Sequence, residues 1–266
     1  MTRLALIGLA WIAFIGSPQA FGEDDSAVWA QVRASLFGSR PIAKAGPELM
    51  VVAPARAEDA AVVPITLIAR PRPGTEPPRK FYLVIDRNPS PVAATFEFGD
   101  VAGGAEIETR VRVEDNSVVR LVAEAADGSL SMVTAFIKAS GGCSAPANKR
   151  AGDANTMGQM RWQLPDAIVD DIPNTVTLLI RHPNTSGLAM DQQSRLYEPP
   201  QFVRTVRVTW RDRLVMAANV DFSISENPAF RFTFRPDGPG ELKAEVIDSS
   251  DLKFESSVAV AGTAQR

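Results

Sequence analysis

The chain has 266 residues, of which 45% are hydrophobic and 22% charged, and its formal net charge is −3. That is enough chain for two domains of about 100 residues each and enough apolar content to fill their cores. The charge balance supplies no basic field for nucleic acid or an anionic membrane. The 20 prolines and 18 glycines interrupt the chain too often for long helices and suit many short strands.

Met1-Thr2-Arg3 is a short basic start, Leu4 to Ile15 an apolar run, and Ser17 to Gly22 a small-residue region before Glu23-Asp24-Asp25. This order predicts a secretory signal peptide over residues 1–22, cleaved after Ala20 or, in better agreement with the small-x-small rule, after Gly22. The apolar run would extend only ~18 Å as a helix, against ~30 Å for a bilayer core, which argues against an anchor.

Next comes a short helical pattern. Asp25 or Ser26 can cap it, Trp29, Val32 and Leu36 share a face, and Gly38 ends it before Pro41. From about Glu48 the period becomes two. Phe81, Leu83 and Ile85 alternate with Tyr82, Val84 and Asp86. Ile107, Thr109, Val111 and Val113 alternate with Glu106, Glu108, Arg110, Arg112 and Glu114, a strand with one buried and one wet face. Segments 117–126 and 129–139 follow, joined by the turn pair Asp127-Gly128. Residues 23–140 therefore predict a first β-sandwich domain of the immunoglobulin-like kind.

From Ser140 to Asn155 small, polar, Gly and Pro residues dominate. This composition predicts a solvated, flexible linker, placed at 141–160 and carrying Cys143. A second β pattern follows in residues 161–266. Val206, Val208 and Trp210, then Phe230, Phe232 and Phe234, then Leu242, Ala244 and Val246 each alternate with polar partners. The fold class expected is all-β: two immunoglobulin-like β-sandwich domains, with a short N-terminal helix before the first. Asn-Pro occurs in both halves, at Asn88-Pro89 and Asn227-Pro228, where it can simply initiate turns.

Cys143 is the sole cysteine. In an exported chain it has no internal partner, so it is buried, paired with another chain, or reactive. Its neighbours are too small to pack around it, so exposure is expected. Gly141 and Gly142 give the thiol wide backbone freedom, as a hinge would. A linker of this kind reaches roughly 25 Å in root-mean-square terms. The residues alone leave two readings open, a carrier or reactive thiol and a passive linker cysteine. His182, the sole histidine, lies at the end of a predicted strand and reads as a structural residue. A Cys143–His182 dyad would lack a third group. One cysteine and one histidine make no metal site. Nucleophile elbows, phosphate loops and dinucleotide fingerprints are absent from the sequence.

Taken together these segments resemble the SoxYZ sulfur-carrier family, with both subunits fused in one chain. The first half is similar to SoxY at Val62-Val63-Pro64-Ile65-Thr66-Leu67, at Ile85-Asp86-Arg87-Asn88-Pro89-Ser90-Pro91-Val92-Ala93, at Arg110-Val111-Arg112 and at the closing Gly141-Gly142-Cys143. The second is similar to SoxZ at Ile180-Arg181-His182-Pro183, Gly187, Asp191, Ser225-Glu226-Asn227-Pro228 and Phe230-Arg231-Phe232. The resemblance implies a periplasmic carrier rather than an enzyme. It implies Cys143 as the attachment site of a thiosulfate-derived or related group and Gly141-Gly142 as its hinge. It implies no cofactor beyond that covalent sulfur adduct, and periplasmic sulfur-oxidation enzymes as partners. Fused forms are similar to carriers found beside quinoprotein (PQQ) dehydrogenases. Two features depart from the pattern: Ser144 follows the cysteine and leads on into a second domain, and Asn184-Thr185-Ser186 follows His182-Pro183. An arm held at both ends reaches less far than a free tail.

The function expected is a covalent sulfur carrier. The alternatives are a non-catalytic accessory or binding module of a quinoprotein dehydrogenase system, in which Cys143 is incidental or links a homodimer, and a thiol enzyme using Cys143 with His182.

Overall fold

The computed structural model describes residues 27–71, 74–146, 156–190 and 194–262. The expected signal peptide and the capping residues Asp25 and Ser26 lie outside them. Half of the described residues are in strands, arranged in two sheets, with one short N-terminal helix. The elements in chain order are α1 (Ala27–Phe37), β1 (Ile42–Lys44), β2 (Leu49–Val52), β3 (Val63–Ala69), β4 (Lys80–Ile85), β5 (Val92–Phe98), β6 (Ala102–Val111), β7 (Ser117–Glu124) and β8 (Leu130–Ile137). The second half supplies β9 (Met160–Gln163), β10 (Asn174–Ile180), β11 (Val203–Trp210), β12 (Arg213–Val220), β13 (Ala229–Phe234), β14 (Gly240–Asp248) and β15 (Lys253–Val260).

The two halves are not separate bodies on a string. One sheet runs β1-β8-β7-β4-β5-β12-β11-β14-β15 and the other β2-β3-β6-β13-β10-β9. Each sheet crosses from one half to the other by an antiparallel pair. Phe96 stands opposite Ala218 where β5 meets β12, and Ile107 opposite Phe232 where β6 meets β13. A single core therefore fills both sandwiches. It takes Phe81, Leu83 and Ile85 from β4, Ile107 and Val111 from β6, Val206, Val208 and Trp210 from β11, and Phe230, Phe232 and Phe234 from β13. The alternation read in the sequence is the inward face of these strands.

The helix covers part of the outer face of the longer sheet. Trp29 and Phe37 bury against Val84, Val122 and Leu130, with Val32, Leu36 and Tyr82 at the margin. Beneath Trp29 lies a buried ion pair: Arg120 donates from Nε and Nη2 to the Asp86 carboxylate at 2.9 and 2.8 Å, and its guanidinium sits 4.7 Å from the indole centroid. Gly38, at φ 59°, closes the helix in the left-handed conformation.

Continuous sheets and a common core predict one cooperative unfolding transition. Trp210→Ala, at the far end of the second half, should cost about 3–5 kcal/mol and lower the melting of the first half equally. Calorimetry together with hydrogen exchange on β4 checks this; two separable transitions would contradict it.

Candidate functional site

The site lies where the halves join, around Cys143. The outward face of β6 continues past its end through Arg112 and Glu114, and the chain after β8 folds back over these residues. Gly141 N donates to Glu114 O at 2.6 Å, and Gly142 N to Val113 O at 3.1 Å. Glu114 then clamps the turn from its side chain. One carboxylate oxygen, Oε2, accepts from Cys143 N at 2.7 Å and from Ser144 N at 3.2 Å, while Oε1 accepts from the Ser144 hydroxyl at 3.1 Å. From the second half, the Ser186 hydroxyl donates to Cys143 O.

Cys143 is fully buried, at 0% exposure. This corrects the expectation of an exposed thiol on a solvated linker. The neighbouring residues are indeed too small to pack around it, but the packing comes from the end of β6 and the loop after His182. Gly141 and Gly142 serve this seating. Gly141 adopts φ 75°, and a Cβ at Gly142 would stand 2.1 Å from Ala60 O and 2.6 Å from Val113 O. Of the expected linker, residues 141–144 are hydrogen-bonded here and residues 147–155 lie outside the described residues. Gly158 N already bonds Arg181 O at 2.7 Å.

Burial, and then the Glu114 carboxylate, push the Cys143 thiol up to about 12, against a smaller opposing pull from Arg112. Burial and Glu114 thus favour the neutral thiol in the seat, the form that is not the nucleophile. Arg112 is itself buried, at 1% exposure, although the alternation of β6 places it on the wet face. Its Nη1 donates to Gly142 O and its Nη2 to Asn184 O, both at 3.2 Å. It therefore bridges the arm and the second half. Sequence periodicity missed Arg112, Glu114 and Ser186, because what covers them comes from distant chain.

The two Asn-Pro asparagines do more than initiate turns. Asn88 Nδ2 donates to Arg112 O at 2.8 Å and to the Ser223 hydroxyl at 2.9 Å, while its Oδ1 accepts from Glu114 N at 2.9 Å. It ties the β4–β5 turn to the end of β6 and to the second half. Asn227 N donates to His182 O at 2.8 Å, and Asn227 O accepts from Arg110 Nη2 at 2.7 Å.

His182 is fully buried. Its Nδ1 lies 2.7 Å from Asn184 Oδ1 and its Nε2 3.5 Å from Asp248 Oδ2. The charged groups that act on Cys143 are Glu114, Arg112 and Asp221, not His182. The dyad reading thus gains no support, and His182 holds the loop that carries Asn184 and Ser186. Among the described residues no group of three or more His, Cys, Asp or Glu side chains could hold a metal. No described helix is long and apolar enough to cross a membrane.

Comparison with known families gives two matches in order along the chain. Residues 33–143 match the family described as sulfur oxidation protein SoxY, ending on the buried cysteine itself. Residues 162–259 match sulphur oxidation protein SoxZ. The chain therefore belongs to the fused SoxYZ-like proteins, with a SoxY domain followed by a SoxZ domain. These are carrier proteins of sulfur oxidation rather than catalysts. No curated protein matches the chain significantly. Among solved structures, a superoxide reductase (neelaredoxin) from Ignicoccus hospitalis aligns at 12% identity and a TM-score of 0.31, over 44% of this chain and 90% of that one. A likeness that slight carries no argument.

Two predictions follow from this geometry. Gly142→Ala should unseat the arm, because its Cβ would meet backbone on two sides. Cys143 alkylation should then rise at least ~10-fold, the equivalent of ~1.4 kcal/mol of lost seating, with the sheets intact by circular dichroism. An unchanged alkylation rate would count against the seating. The second prediction concerns His182, whose imidazole burial holds below its ordinary value of 6.5. Such a group stabilises the fold above that value, and the contribution is lost as pH falls below it. Denaturant midpoints should drop between pH 7 and 5 in the wild type and less steeply in His182→Gln.

Proposed function

We propose that this chain is a periplasmic carrier that holds a sulfur-containing intermediate covalently on Cys143 and presents it to partner enzymes of sulfur oxidation. The observation that carries the reading is the Gly141-Gly142-Cys143 arm itself, seated at the junction of a SoxY and a SoxZ domain. A load joined through sulfur, such as an S-sulfonate or a persulfide, is reversible by thiol exchange. The seated state offers a rationale for sheltering the unloaded arm between loads. A thiol pushed up to about 12 carries almost no thiolate at neutral pH, which disfavours exchange with other thiols and oxidation. Presentation then requires the arm to leave its seat. The backbone freedom of Gly141 and Gly142 fits them as the hinge of that movement.

Burial of the thiol also suits a second reading, an accessory module of a quinoprotein dehydrogenase system in which Cys143 merely packs. The intact mass of the chain, isolated from its export compartment without reductant and again after reduction, separates the two. A carrier shows a reducible added mass that maps to Cys143. Cys143→Ser abolishes that mass and sulfur-oxidation activity; because the side chain is buried, the new hydroxyl should lower the melting temperature by a few degrees while leaving the sheets intact by circular dichroism. A bare thiol, or only a chain-to-chain disulfide, would favour the accessory module.

A further inference from the structure

Four of the seven exposed large hydrophobic side chains among the described residues lie in one place, in the loop that follows His182: Leu188, Met190, Leu196 and Tyr197. Two segments of that loop, 185–190 and 196–201, run antiparallel as a short ribbon. Thr185 N donates to Gln201 O at 2.8 Å and Gln201 N to Thr185 O at 3.1 Å. Glu198 N donates to Ala189 O at 3.2 Å, and Met190 stands opposite Tyr197. Opposed residues leave the same face of a ribbon, and residues two apart share it. Leu188, Met190 and Tyr197 therefore form one apolar outer face, while Ala189 between them is buried on the other. The ribbon is pinned in this shape. The Thr185 hydroxyl donates to Pro199 O at 2.9 Å, and Gly187, at φ 80°, lies so close to Pro200 that a Cβ would stand 3.1 Å from its Cδ. Apolar side chains gathered on the water-facing side of an ordered ribbon mark an interaction surface.

That surface adjoins the cysteine. At the root of the ribbon, the Ser186 hydroxyl donates to Cys143 O and accepts from Leu188 N at 3.2 Å, and Asn184 O accepts from Arg112. Leu188 and Met190 follow Ser186 by two and four residues, so they lie within about 7 and 14 Å of it. The arm is also short. Lys138, one residue past the end of β8, is held by its amide to Ala55 O at 3.0 Å, and Cys143 is five residues further on. With every bond of the arm broken, the cysteine Cα stays within about 18 Å of Lys138. A protein that acts on the Cys143 sulfur must therefore come to the seat and cover its rim, and the ribbon is part of that rim.

We propose that the face formed by Leu188, Met190, Leu196 and Tyr197 is the docking surface for the enzyme that takes the Cys143 arm, and that this enzyme carries a complementary apolar patch beside the entrance to its active site. The inference rests on the carrier reading and adds where the partner sits. Tyrosine and methionine are enriched in the cores of protein interfaces, and methionine adapts to more than one partner surface. Arg195 and Glu198, both exposed, supply a polar rim of both signs. The net charge of −3 disfavours an anionic lipid surface as the occupant.

Loading kinetics test the surface. Reduced, purified chain is returned to an extract of source cells that lack it, with thiosulfate or sulfide as the sulfur donor. The mass added at Cys143 is followed with time at increasing chain concentration. In Leu196→Ser/Tyr197→Ser the half-saturating concentration should rise at least ~10-fold, an ordinary loss for truncating an aromatic anchor, with the saturated rate close to wild type. Tyr197→Phe should load as the wild type does. Both positions are exposed, so melting and the alkylation of Cys143 by iodoacetamide should be unchanged in the double variant.

A double variant that loads with the wild-type half-saturating concentration overturns the docking surface and leaves the carrier reading standing. A wild-type chain that gains no mass from either donor sinks the carrier reading, and the docking surface with it. A wild-type chain that sediments as a dimer, beside a double variant that sediments as a monomer, would give the face to a second copy and also overturn the proposal.

Discussion

Two strand pairings, β5 with β12 and β6 with β13, decide what this molecule can be. They turn two sandwiches into one pair of sheets with a common core, and they bring the end of β6 beside the loop that follows His182. Without them Arg112 would be an ordinary exposed residue of an edge, and the arm would have one wall to lie against where it now has two. Hydrogen bonds across the junction, from Asn88 to Ser223 and from Ser186 to the arm, depend on this alignment. They add specificity more than strength, since each contributes only about 1 kcal/mol net.

The same junction sets the electrostatics. An exposed cysteine titrates near its ordinary value. Seated between Glu114 and the second half, it is pushed well above. Glu114 is the economical part of the arrangement: one carboxylate accepts from two successive amides and a hydroxyl, so it orders the turn and opposes thiolate at once. Arg112 opposes it from the other side, too weakly to reverse the burial effect. The cysteine is therefore held in its protonated form by position, and any departure from the seat makes it more acidic and more nucleophilic.

Much of the fold was legible in the sequence, because strand alternation depends only on which face meets the core. The Phe230, Phe232, Phe234 row and the Val206, Val208, Trp210 row are the inward faces that the period of two indicated. The seating of the arm was not legible. Composition correctly says that Ser140 to Pro146 cannot build a core of its own, but it cannot say that a ready-made cleft lies elsewhere in the chain. Arg112 fails for the same reason. Alternation places it outward, and outward here is not solvent, because a segment thirty residues later covers it. Gly142 carried a signal that reads two ways: a glycine beside a reactive residue suits a hinge and equally suits a close backbone approach, and only the Ala60 and Val113 carbonyls reveal the second.

Joining the two domains in one chain also changes how the site responds to concentration. A seat built from two separate subunits is lost on dilution and can be rebuilt from mismatched partners. Here the two walls are covalently continuous and share every strand pairing across the junction, so their local concentration is fixed by the chain itself. Stoichiometry cannot drift, subunits cannot exchange, and the integrity of the seat is independent of expression level. A chain made at low abundance would keep its cysteine sheltered as well as one made in excess.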